Sequence, residues 1–219
     1  MREKFEESLY ELFDSLVQMS SKVDIAISQS ITALMTKDAN LAKEVMEGDS
    51  DINSYERKIE AQCMRIIMKH QPVASDLRLI TSAMKMVTDL ERIGDQAADI
   101  SELVLTMLKD GIDYNENDLG SIAEMAELAK EMVQKSIQGF VDSDLDYSYE
   151  AISMDDQVDE YYLKVRDEVT QDIKEEIQEP EALVDFLLIA KYLERIGDHA
   201  QNIGERVVYS ITGKLEKNN

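Results

Sequence analysis

The chain has 219 residues, an apolar fraction of 44% and a formal charge of −23 from 46 acids against 23 bases. That length and apolar content supply a real core, while the charge argues against nucleic-acid binding, because phosphate backbones are held by Lys and Arg. One cysteine, Cys63, excludes an internal disulfide, and eight Gly, two Pro and no Trp leave a composition that favours helix over sheet.

Apolar residues recur at three- and four-residue intervals through six long segments, roughly 5–36, 41–69, 75–109, 118–142, 145–177 and 181–212. Each reads as an amphipathic helix. The N-terminal run MREKFEESLYELFDSL has no apolar region of signal-peptide type, and no window approaches 18 uninterrupted apolar residues. The expected location is therefore the cytoplasm, with no direct membrane insertion.

Both prolines and most of the turn-forming Asp and Asn residues fall in the short breaks between these segments. Long helices with short connections pack as antiparallel neighbours. The break at 110–118 divides the chain into two halves, 1–110 and 117–219, each expected to be a three-helix bundle. The predicted class is all-α.

The hexapeptide LERIGD occurs on the third helix of each half, at 90–95 and 193–198, and the flanking match extends to eight of eleven positions. The second helices carry a weaker repeat, Asp49-Ser-Asp-Ile-Asn53-Ser-Tyr against Asp155-Asp-Gln-Val-Asp159-Glu-Tyr. This is an internal duplication.

At helical spacing Glu91, Asp95 and Asp99 form one stripe, each roughly 40° on from the last, at the border of the apolar face. Glu194, Asp198 and Asn202 repeat it on the sixth helix. Like charges at i,i+4 repel, so something should compensate. Asp49 with Asn53, and Asp155 with Asp159, offer the same spacing at the edges of the preceding helices, and antiparallel packing can bring such edges together. Oxygen-only donors of this kind suit hard or borderline cations, namely magnesium, manganese, calcium or iron, with zinc possible.

An isolated acidic stripe is ordinarily a solvated face, and Arg92 and Arg195 could neutralise it without metal; repetition with matching partner helices favours the metal reading. Gly94 and Gly197 lie beside the stripes on the core side, where a missing side chain lets a neighbouring helix approach. His70 and His199 read as surface residues, and Cys63 and the methionines as core filling. Motifs of phosphate loops, nucleophilic hydrolases and zinc proteases are absent, as is the Glu-x-x-His step of di-iron bundles.

Together with the LERIGD copies, the stretches LAKEVMEGDSDIN, RIIMKHQPVASDLRLITSAMK and ERIGDHAQNI resemble the PhoU proteins, bacterial regulators of phosphate uptake, over nearly the whole chain. The resemblance implies two pseudo-repeated three-helix bundles with Glu/Asp-x-x-x-Asp motifs that hold metal ions, iron or zinc clusters in some members. Glu91 and Asp95 match the motif in the first half, and Glu194 and Asp198 in the second. Asp99 extends the first motif, Asn202 replaces an acid in the second, and Asp49, Asn53, Asp155 and Asp159 match the facing positions.

It further implies a negative regulator without enzymatic activity that links the ATPase subunit of the phosphate ABC transporter to a phosphate-sensing histidine kinase at the inner face of the membrane. A homodimer is the expected assembly. A metal-dependent phosphohydrolase, with Arg92 or Arg195 taking the phosphate, and an accessory protein of a different phosphate transporter are the competing expectations.

Overall fold

The computed structural model describes residues 2–114, 119–175 and 180–214. Six helices follow one another: α1 (Arg2–Thr36), α2 (Ala39–His70), α3 (Ser75–Asp110), α4 (Ile122–Asp142), α5 (Leu145–Glu175) and α6 (Pro180–Thr212). No strand occurs among the described residues, and the all-α expectation holds.

Local chemistry fixes the helix ends. Asp38 caps α2 by accepting from the backbone N–H of Asn40 and Leu41 at 2.9 and 3.0 Å, which satisfies two donors that the helix cannot use itself. Gly111, at φ +73°, closes α3 in the left-handed conformation. Pro180 opens α6, where its missing N–H costs nothing.

The fourth helix starts later than its periodicity predicts. Gly120 turns with φ +53°, and Glu168 of α5 takes both the Ser121 N–H (3.1 Å) and the Ser121 hydroxyl (2.9 Å). A side chain 47 positions downstream thus sets the start at Ile122, which no local pattern could report. The expected start at 118, the second half's start at 117 and the fifth helix's end at 177 lie outside the described residues.

Within each half the three helices pack on one another, α1 with α2 and α3, and α4 with α5 and α6. The halves meet through equivalent helices, α3 against α6 and α1 against α4, leaving α2 and α5 on the flanks. Asp89 contacts His199, while Asp99 senses Tyr192 and Arg195, so α3 and α6 run antiparallel and the two LERIGD copies pass each other. A helix packed antiparallel on its own repeat is what a pseudo-twofold axis produces.

Leu16, Ile59, Leu90, Met132, Phe140, Phe186 and Leu193 belong to one continuous apolar core that runs through both halves. Cys63 lies in it, fully buried, with burial pushing its thiol up to about 12.

Candidate functional site: two facing rows of acids

The repeated glycines set the distance between the second and third helices of each half. A Cβ on Gly94 would sit 2.9 and 3.1 Å from Ile52 side-chain carbons and 3.6 Å from Asp49 Oδ1. One on Gly197 would meet Val158 at 3.1 Å and Asp155 Oδ1 at 3.6 Å. The same local crossing is built twice: a glycine of the hexapeptide receives an apolar residue and an aspartate from the preceding helix.

In the first half this contact brings Asp49 of α2 to Asp95 of α3. Loss of water around Asp49 raises its carboxyl, and Asp95 raises it further, against the hydrogen bond from Asn53 Nδ2 at 2.7 Å. Glu91 is raised by burial, then by Asp95, with Arg92 opposing. Asp99 is raised by burial, by Asp95 and by Glu102, while Arg195 of α6 lowers it. Glu91, Asp95, Asp99 and Asp49 therefore act as one electrostatic group.

Two acceptors in that group, Asp49 Oδ1 and Glu91 Oε2, and the neighbouring Asn53 Oδ1 lack any hydrogen-bond donor although they are closed off from solvent. Buried oxygens without a donor are costly unless a cation meets them. Arg92 meets part of the need, with Nη1 2.9 Å from Asp95 Oδ2 and Nε 3.4 Å from Glu91 Oε2. It is the neighbouring positive charge that the repulsive stripe requires.

The second row has the same plan with different chemistry. Asp155 is pushed up to about 6 by burial, then by Asp159, Asp198, Asp156 and Glu194. Asp159 and Asp198 are raised as well, each by loss of water and then by Glu194. Lys191 Nζ sits 2.5 Å from Glu194 Oε1, and Gln201 Nε2 donates to Asp155 Oδ2 at 2.8 Å. Glu194 Oε2 is buried without a donor.

Nine of the ten acidic and amide residues singled out in the sequence thus fall into two groups, Asp49, Asn53, Glu91, Asp95 and Asp99, and Asp155, Asp159, Glu194 and Asp198. Asn202 is exposed and joins neither through a hydrogen bond. Among the described residues no three His, Cys, Asp or Glu side chains converge closely enough to hold a metal ion as they stand. The donor set has the composition that a hard cation needs, with Arg92 and Lys191 standing where part of its charge would go.

Sequence reasoning missed four contributors. Glu56 of α2 feels Arg92 and Asp95; it lies seven positions after Asp49, so the acidic edge of α2 runs about one turn further than the Asp49–Asn53 pair marks. Lys191, three residues before Glu194, was equally available. Gln201 comes from a position with Ala98 as its repeat equivalent, so comparison of the halves gave no cue. His199, expected as a surface residue, instead binds Asp89 across the α3–α6 contact at 2.9 Å. His70, also expected at the surface, is half-buried in the last turn of α2, edge-on to Phe5 with ring centroids 5.5 Å apart.

Comparison with known proteins agrees with this duplicated plan. The PhoU domain pattern matches residues 16–104 and again 122–207. A phosphate-specific transport system accessory protein PhoU homolog from Clostridium acetobutylicum is 36% identical over 214 residues, covering 97% of this chain and 96% of that protein. The PhoU accessory protein of Escherichia coli K12 is 32% identical, covering 96% and 86%. Among solved structures, PhoU from Pseudomonas aeruginosa superposes with a TM-score of 0.89 at 32% identity, covering 96% of this chain and all (100%) of that one. The phosphate transport system regulatory protein PhoU from Streptococcus pneumoniae gives 0.88 at 30% identity, covering 98% and 100%. The chain belongs to the PhoU family.

Proposed function

We propose that this protein is an accessory regulator of a phosphate-specific ABC transporter, restraining phosphate uptake and phosphate-starvation signalling when phosphate is plentiful. The observation that carries this reading is the full-length similarity to transport-system accessory proteins, at 36% identity over 97% of the chain. Its proposed partners are the transporter's ATPase subunit and a phosphate-sensing histidine kinase at the cytoplasmic face, a reading supported by the relatives' role in a transport system; no helix among the described residues is long and apolar enough to cross a membrane.

Its action is non-enzymatic. The relatives that it matches over nearly its whole length are transport-system accessory and regulatory proteins rather than hydrolases. Purified protein supplied with metal should show no turnover of phosphomonoesters.

Deleting the gene should raise alkaline phosphatase several-fold in phosphate-rich medium. Unchanged output in a strain without a second copy of the gene would refute the regulatory reading.

The two acid rows are proposed metal sites, Asp49, Asn53, Glu91, Asp95 and Asp99 forming one and Asp155, Asp159, Glu194 and Asp198 the other. A bound cation supplies positive charge that neutralises the rows and fixes the second helix of each half to the third. Oxygen donors admit iron, manganese or magnesium, and zinc less readily. Binding requires Arg92 to release Asp95 and Lys191 to release Glu194, and carboxyls raised by their neighbours must give up protons. Elemental analysis of gently purified protein should find metal that falls by roughly half in Asp95→Ala or Asp198→Ala and is lost in the double variant; metal-free wild type would dismiss the sites while leaving the regulatory reading standing.

A further inference from the structure

The second half of α2 carries a surface unlike the rest of the molecule. Arg57, Lys58, Arg65 and Lys69, with Met64 and Met68 among them, lie on one exposed stripe of the helix, an arc of about 140° at helical spacing. That stripe contains no acid, in a chain with twice as many acids as bases. None of its four bases makes an ion pair among the described residues; Arg57 meets the Ser54 hydroxyl and opposes the rise of neighbouring Glu56, and Lys58 lies over the Tyr55 ring. Met64 is 47% exposed, Met68 69%, and Val73, at the turn into α3, 74%.

The duplication supplies an internal control. The second helices are related by a shift of 106 residues, confirmed in the core, where Ile59 and Cys63 are matched by the buried Val165 and Val169. At the same shift Arg57, Arg65 and Lys69 become Leu163, Gln171 and Glu175, while Met64 and Met68 become Thr170 and Lys174; only Lys58 keeps its charge, as Lys164. The three-helix arrangement therefore has no need of a basic, methionine-bearing stripe, which α5 lacks.

We infer that this stripe of α2, ending at Val73, is the surface by which the protein docks on its transporter, against a protein face with an apolar centre and an acidic rim. The inference rests on the proposed accessory role and adds the surface and its chemistry. Unpaired bases around exposed Met and Val match such a rim in charge, and Met adapts its shape to an apolar partner. Exposed Met64, Met68 and Val73 give the stripe an apolar centre that a protein face can cover and a charged lipid headgroup layer does not, and a second copy docked stripe to stripe would set bases against bases.

The test is binding of the full-length protein to the cell's phosphate transporter reconstituted in nanodiscs. Arg65→Glu with Lys69→Glu, and separately Met68→Ser with Val73→Ser, should each weaken binding about tenfold or more, the first effect shrinking in high salt. Lys164→Glu with Lys174→Glu makes the same change in net charge on α5 and should leave binding within about twofold. All substituted residues are exposed, and circular dichroism checks that each variant keeps the fold. Equal binding by all variants would overturn the surface but keep the transporter as partner; no binding by wild type would overturn both. Wild-type binding to empty anionic nanodiscs, or a wild-type dimer that the Arg65 and Lys69 changes dissociate in sedimentation, would reassign the stripe to lipid or to a second copy.

Discussion

Three glycines show how one residue type serves opposite ends. Gly48 lies exposed inside α2 with nothing within 4 Å of an added Cβ, so there it only weakens the helix. Gly48→Ala should stabilise the protein by about 0.5–1 kcal/mol, seen as a rise in Tm of about 1–4 °C. At Gly94 the added carbon would crowd Ile52 at 2.9 and 3.1 Å, and the nearer atom can swing aside but the Cγ2 branch cannot. Overpacking there exceeds the gain in helix propensity, giving a net loss of about 1 kcal/mol. Gly197, facing Val158 at 3.1 Å, should be affected less. Thermal unfolding of the three alanine variants would check the order.

At the scale of helix pairs, the α5–α6 row holds stored repulsion. Asp155, pushed up to about 6 from 3.8, binds its proton more tightly in the folded than in the unfolded chain. Between those values the native state holds the extra proton, so metal-free protein gains stability as pH falls from about 6 toward 4 and loses it on the way back up. Glu91, Asp99, Asp159 and Asp198 are shifted in the same direction. Chelator-treated protein should therefore melt higher at pH 5 than at pH 7.5. Asp155→Asn should shrink that difference by about 1 kcal/mol, a figure already reduced for the carboxyl's partial exposure, and saturating metal should shrink it in the wild type.

Much of this pairing was readable from the sequence, because the helix period aligns Glu91 with Asp95 and the duplication points to the matching edges of α2 and α5. The positions of the compensating charges were less legible. Arg92 is legible as a neutralising charge, whereas the reach of Lys191 to Glu194 depends on its rotamer and the Asp89–His199 link on which face of α3 meets α6. The start of α4 depends on Glu168, a partner from another helix. Contacts between helices distant in sequence leave no periodic trace on either one.

For the whole molecule, the decisive feature is that α3 packs on its own repeat within one continuous core. The two halves should melt in a single calorimetric transition, since separating them exposes the α3–α6 contact. The same arrangement has a historical reading. Two identical three-helix chains, docked about a true twofold through their third helices, would make this body with no covalent link; joining them end to end would free each half to diverge, as Asp99 and Asn202, or Arg65 and Gln171, have done. A chain cut at residue 114 should retrace that step and form a homodimer through α3, with a sedimentation mass twice its own. The protein is then a dimer written as one gene, in which symmetry kept the crossing and its loss made room for two different faces.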